Sequence, residues 1–301
     1  MTLDQILNIA RCSSSPKRLA VAAAEDSDVL SAVCQAAELS LVEPVLIGDE
    51  EKIRMIAAEN NLDLSRCLLD HQPDHAAAAA RAVALARDGQ VQAIMKGQLH
   101  SSILMKAILN KETGIRKSSV LSHVGIIECP KVDRLLFLTD GAMCTYPTLE
   151  QKVAIINNAV SLARTMGVEL PKVACLCAVE TVNPQMPPTL DAAALSLMNQ
   201  RGQIKNCLVD GPLALDNAIN PEAAKHKGVK SPVDVKGNAD ILLVPNIEAG
   251  NILLKACRNM ADCVTVGLVV GAAVPVIMSS RADTAANKLY AIACAVYQPE
   301  K

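Results

Sequence analysis

Two hydrophobic periods alternate along this chain. After an N-terminal helix, Arg18–Ala24 (RLAVAAA) is a continuous apolar run of strand length, and Asp26 or Ser27 stands where a cap is needed for a helix through Glu38. The order then repeats, with a strand over Glu43–Gly48, a helix over Asp49–Asn60, an alanine-rich helix over His75–Asp88 closed by Gly89, and a strand over Gln92–Gly97. A short helix follows over Ser101–Asn110. Strands alternating with helices predict an α/β protein whose mostly parallel sheet is covered on both faces.

The pattern changes after the cationic loop Lys111–Ser119. Val124–Cys129 and Arg134–Thr139 read as neighbouring strands, and the short connection between them predicts an antiparallel pair. The longest helix spans Leu149–Met166, closed by Gly167 with Pro171 beyond. Strands are expected at Val173–Val179, Cys207–Asp210, Asp240–Val244 and Val264–Val270, and helices at Leu190–Arg201, Pro221–Lys227 and Glu248–Met260. No linker rich in Pro, Gly or Ser marks a domain boundary, so the change of pattern near Leu136–Gly141 is the best one the sequence offers.

The final strand and helix carry the most suggestive residues. Val274–Met278 is a short β-type run, and Leu289, Ile292, Ala293 and Val296 then recur at helical spacing. Between them, Ser280 and Asp283 have the spacing of a capping box. Arg281 would then occupy the first helical position, where the positive end of the macrodipole disfavours a cation. A helix N-terminus at the end of a strand also suits an anion, and a serine with an arginine there suits phosphate or an oxyanion. Cap and anion site both remain open on spacing alone.

Composition narrows the classes. Among 301 residues, 29 basic and 31 acidic side chains balance, leaving no global field for nucleic acid or an anionic membrane. One phenylalanine and no tryptophan argue against binding of single-stranded nucleic acid, which needs stacking platforms. No apolar run reaches the roughly 18 residues of a membrane span, and Asp4 interrupts any leader-like start, so a soluble cytoplasmic protein is expected. The eleven cysteines fall mostly in apolar runs without a C-x-x-C pair, as small core residues of a reducing compartment do.

Ligands of open α/β sheets collect at the carboxyl ends of strands. The residues there are Lys96-Gly97, Thr139-Asp140-Gly141, Glu180 with Asn183-Pro184, Asp210-Gly211-Pro212, Asn246 with Glu248, and Ser279-Ser280-Arg281. Turn chemistry or helix capping explains each singly, Asn246 as a cap above all. Together they read as a lined cleft. Lys96 stands out as a cation leaving a sheet edge. His71 and His75 flank Pro73 and bring no third ligand at metal spacing, and none of the common nucleotide or nucleophile-elbow motifs occurs.

In order from about residue 90 onward, AIMKG (Ala93–Gly97), LNKETG (Leu109–Gly114), RLLFLTD (Arg134–Asp140), VNPQMP (Val182–Pro187), VDGPLALDNA (Val209–Ala218), ADILLVPNIEAGN (Ala239–Asn251) and Ser280–Asp283 make the chain resemble the phosphate acetyl/butyryl transferase family. The likeness is strongest to its phosphate butyryltransferase branch. That resemblance implies two doubly wound α/β domains with an interdomain cleft, like those of isocitrate and isopropylmalate dehydrogenases. Residues 1–136 with 277–301 would form the first domain and 137–276 the second.

It also implies conversion of acyl-CoA plus phosphate to acyl phosphate plus CoA by direct transfer in a ternary complex. CoA and phosphate would be the substrates, with no metal or other cofactor. Chain length and apolar composition are compatible with a homo-oligomer. The family's catalytic segment falls on Ser280 and Arg281. Acetyl-type members carry an aspartate six residues beyond the arginine. Here that position is Asn287, which cannot take a proton, and Asp283 is the carboxylate left in the segment. Cys144 stands where asparagine is expected and is not read as a nucleophile. Lys96 and Arg116 are the expected phosphate ligands, with Lys111 a lesser one and Asn183 a hydrogen-bond donor; a solvated face is the competing reading of Lys111 and Arg116. A non-catalytic acyl-CoA-binding protein and a NAD-dependent oxidoreductase on the same fold are the alternative functions.

Overall fold

Polar caps open most of the helices, and their positions define the elements. A computed structural model describes residues 1–12, 17–278 and 283–297. In chain order it has α1 (Leu3–Arg11), β1 (Lys17–Ala22), α2 (Ser27–Glu38), β2 (Val42–Gly48), α3 (Glu50–Glu59), β3 (Leu68–His71), α4 (His75–Arg87), β4 (Ala93–Lys96) and α5 (Ser101–Ile108). Next come β5 (Ser122–Glu128), β6 (Leu136–Thr139), α6 (Leu149–Thr165), β7 (Lys172–Leu176), α7 (Pro187–Gln200), β8 (Leu208–Leu213), α8 (Leu215–Ile219), α9 (Pro221–His226), β9 (Ile241–Leu243) and α10 (Ile247–Met260). The last are β10 (Val264–Val270), β11 (Val276–Ile277) and α11 (Ala285–Val296).

Internal contacts divide the chain into two units. One comprises Leu3–Ser118 and the stretch from Val266 onward; the other comprises Met1–Thr2 and Ser119–Thr265. The boundaries offered by the sequence, 136/137 and 276/277, lie further along. The antiparallel pair β5 and β6 stays together because β6 is also the parallel neighbour of β9.

In the first unit the strand order is β3-β2-β1-β4-β11-β10. All neighbours are parallel except β10 and β11. β1 is buried from Leu19 to Ala22, as a central parallel strand covered on both faces must be. Asp26, Asp49 and Asp74 cap α2, α3 and α4 by accepting the backbone N–H groups of Val29, Lys52 and Ala77. Gly97 is required where it stands, since a Cβ there would lie 1.9 Å from the carbonyl oxygen of Ala23. β3 has no counterpart in the sequence reading, because its Leu68 and His71 are exposed and leave no apolar run to see.

The second unit orders its strands β5-β6-β9-β7-β8, antiparallel between β5 and β6 and parallel elsewhere. Leu136, Leu138, Ala174, Leu242 and Val244 form the centre of its core. Thr148 and Gln151 close a full capping box at the start of α6. α10 lies directly on the loop after β6, because a Cβ on Gly250 would come within 2.7 Å of the Gly141 Cα. Three expected ends move by three residues: α7 starts at Pro187, where proline suits the first helical position, β8 runs on to Leu213, and β7 stops at Leu176.

One expectation is overturned. The N-cap of α11 is Thr284, whose Oγ1 accepts the backbone N–H of Asn287 at 3.2 Å. The cap therefore lies four residues beyond the expected Ser280, and Asp283 precedes it.

Candidate active site

The site begins with the register of two short strands. β4 and β11 are parallel neighbours, with Ile94 opposite Val276 and Met95 opposite Ile277. Lys96 therefore ends β4 beside the carboxyl end of β11. The half-buried Lys96 donates from Nζ to the carbonyls of Gly97 and Leu99 at 2.9 and 3.3 Å, which holds its ammonium at the sheet edge. Ser280 and Arg281 follow β11 in sequence and lie outside the described residues.

Beyond them, Asp283 is half-buried and its carbonyl accepts a 2.7 Å hydrogen bond from Lys288 Nζ. Asn287 is the third residue of α11.

Lys111 and Arg116 are exposed on the loop after α5. Asn110 shapes that loop, its Oδ1 accepting from the backbone of Glu112 and Thr113 at 2.9 and 3.0 Å. Arg116 forms an antiparallel bridge with Ala272, and Lys117 and Ser118 donate to the Gly271 carbonyl at 2.9 and 2.8 Å. Residues 271–273 precede β11, so this loop is anchored at the strand's amino end. The backbone brings Lys96 to the carboxyl end of β11, and it does not bring Lys111 or Arg116 there.

Asn183 and Asn246 belong to the other unit. Asn246 caps α10, accepting the Ala249 N–H at 3.0 Å. Asn183 Oδ1 accepts the Gln185 N–H at 2.9 Å, and its own N–H donates to Thr189 Oγ1 at 2.9 Å. Each side chain spends its oxygen on a turn or cap and keeps its NH2 donors for other partners.

Asp140 does more than end a strand. It is 2% exposed, and its carboxylate accepts N–H groups from His123, Ala142, Met143 and Cys144 at 3.0, 2.9, 2.8 and 3.3 Å. It thereby folds the loop that carries Cys144. Burial, and then the Asp140 carboxylate, push the Cys144 thiol up to about 12. At neutral pH it is a protonated side chain and no nucleophile.

An apolar pocket of about 500 Å³ opens at the carboxyl ends of β7 and β9, lined by Leu176, Cys177, Met186, Leu215, Val244 and Leu253 among others. Beside it, the buried Lys152 pairs with Asp191 at 2.7 Å. Sequence reasoning passed over Lys152 and Lys288. Both had a signal: each lysine starts a set of apolar positions at i+3, i+4 and i+7 on its helix, namely Ile155, Ile156 and Ala159, and Ala291, Ile292 and Ala295. No group of three His, Cys, Asp or Glu side chains among the described residues is arranged to hold a metal ion. No helix among them is long and apolar enough to cross a membrane.

The family model described as phosphate acetyl/butaryl transferase matches residues 1–79 and 71–296. The chain belongs to this family. It is 46% identical over 283 residues to a phosphate butyryltransferase of Clostridium acetobutylicum, covering 94% of this chain and 93% of that one. Among solved structures, a branched-chain phosphotransacylase from Enterococcus faecalis V583 superposes with a TM-score of 0.83 at 30% identity, over 94% of this chain and 100% of that one. A 4-hydroxythreonine-4-phosphate dehydrogenase from Klebsiella pneumoniae, at a TM-score of 0.59 and 14% identity over 94% of this chain and 100% of that one, shares the fold alone. As a phosphate acyltransferase of a two-domain α/β fold, the chain has the kinship implied by the motifs between Ala93 and Asp283.

Proposed function

We propose that the chain interconverts a short-chain acyl-CoA plus phosphate with the acyl phosphate plus CoA by direct attack while both substrates are bound, and that butyryl is favoured over acetyl. The observation that carries this reading is the 46% identity to a phosphate butyryltransferase along nearly the whole of both chains.

In the direction of acyl-CoA synthesis, the CoA thiol, of ordinary pKa about 8.5, gives its proton to Asp283. The thiolate attacks the carbonyl carbon of the acyl phosphate, a C–S bond forms, and the carbonyl pair moves onto oxygen. Collapse of that intermediate breaks the C–O bond to phosphate, which leaves with the electron pair. Ser280 donates to the oxyanion, and Arg281 stabilises the thiolate or the departing phosphate. The reverse direction retraces these steps.

The cap at Thr284 supports Asp283 as base, since the helix does not need that carboxylate as a cap. Asn287 would contribute a hydrogen bond only, as would Asn183 and Asn246 through their NH2 groups. Lys96 is assigned to phosphate because it ends the strand beside β11. Arg116 and Lys111 carry less of this reading, their loop being anchored at the other strand end. The protonated Cys144 thiol favours direct transfer over an acyl-enzyme.

Initial rates with butyryl-CoA and phosphate both varied test the mechanism. Intersecting reciprocal plots are expected; parallel plots, together with a covalent butyryl adduct formed without phosphate, would refute direct transfer.

A further inference from the structure

Lys288 is a buried cation in the first turn of a helix. Thr284 caps α11 and Ala285 is its first residue, so Lys288 is the fourth. The positive end of the macrodipole opposes an ammonium there. Burial opposes it again, since Lys288 is 3% exposed and a lysine so enclosed must be paired to be tolerated. Its Nζ donates to the Asp283 carbonyl at 2.7 Å and lies 3.7 Å from Oδ2 of Asp28, whose side chain is 68% exposed. The short partner is thus the main chain of Asp283, and the carboxylate is distant and wet.

Stability does not explain this choice of residue. Lys288 belongs to the apolar face that continues through Ala291, Ile292 and Ala295. A methionine would fill the same volume without desolvating a charge, a replacement that is often neutral or stabilising. What the ammonium does and a methionine cannot is hold the carbonyl of the residue just before the helix cap.

We propose that Lys288 is a positioning residue for acyl transfer. Locked by its packing in α11, it fixes the main chain of Asp283 and so the direction in which that residue presents its carboxylate to the substrate thiol. This inference rests on the reading of Asp283 as proton acceptor. Lys288 acts through Asp283 and touches neither substrate.

The test is steady-state kinetics of the full-length chain as Lys288→Met, Lys288→Arg, Asp283→Asn and the double variant Lys288→Met/Asp283→Asn. Lys288→Met is expected to fold, to lose about tenfold or more in kcat, and to keep both KM values within about threefold. Lys288→Arg, which can still donate to the carbonyl, is expected to recover part of that loss. The double variant should be no slower than Asp283→Asn, because both changes act on one carboxylate. Wild-type kcat in folded Lys288→Met, or a double variant slower by the product of both single losses, would overturn the proposal.

If Lys288→Met does not fold, Thr284→Ala loosens the same main chain from an exposed position. It should lower kcat about threefold with Asp283 present and leave kcat unchanged when Asp283→Asn is already in place; unchanged kcat in both backgrounds would contradict the proposal. Wild-type turnover in Asp283→Asn would instead sink the reading of Asp283 as base. A slow Asp283→Asn with a fully active Lys288→Met would sink the positioning role alone.

Discussion

Removing Asp191 should unsettle the second unit far more than removing its partner. Lys152 is 5% exposed and its ammonium sits 2.7 Å from Asp191, whose side chain is 33% exposed. Asp191→Ala strands a buried charge, which costs about 3–5 kcal/mol where the pair is fully enclosed. One third of Asp191 is wet, so water can partly replace it, and about 2 kcal/mol is the expected loss. Lys152→Met leaves a carboxylate that water already reaches and should cost under about 1 kcal/mol. The double variant should behave like Lys152→Met, so that the coupling equals the Asp191→Ala loss of about 2 kcal/mol. Urea unfolding measures this, provided the slopes stay equal so that midpoints report stability. Equal losses in the two single variants, or additive losses in the double, would refute the argument that the stranded ammonium is the source of the cost.

Other outcomes follow from caps and thiols. Thr284→Ala should destabilise by about 1 kcal/mol as a lost N-cap does, read as a lower urea midpoint; no change would argue against the cap at Thr284. Burial puts the Cys144 thiol up to about 12 and the Cys177 thiol up to about 11. At pH 8 about one Cys144 in ten thousand is thiolate, so iodoacetamide should label the exposed Cys12 well before Cys144 in the native protein. Peptide mass spectrometry showing equal rates would contradict that environment. Because both thiol values are raised, labelling should quicken steadily as the pH climbs toward them.

The βα alternation was legible because its strands are buried on both faces and its helices are capped by aspartates. Leu19–Ala22, Ile94 and Met95 left apolar runs that only a covered strand explains, and the tight connection before Arg134 announced the antiparallel pair. β3 was not legible, since an exposed edge strand has no need of such a run. The start of α11 was misread for a different reason. Ser280 with Asp283 and Thr284 with Asn287 have the same spacing, and sequence alone does not say which of two polar pairs a helix will use. Lys152 and Lys288 were overlooked because a lysine on an amphipathic helix is usually solvated, although both occupied core-facing positions. The four backbone bonds of Asp140 depend on a loop conformation that no local pattern encodes.

Mixing the purified chain with butyryl-CoA or acetyl-CoA and following CoA release with and without phosphate tests the acyl transfer itself. The two extra methylenes of butyryl are worth up to about 1.6 kcal/mol if fully buried. Phosphate-dependent release is predicted from both, with kcat/KM up to about 15-fold higher for butyryl-CoA. No phosphate-dependent release from either thioester would contradict the account.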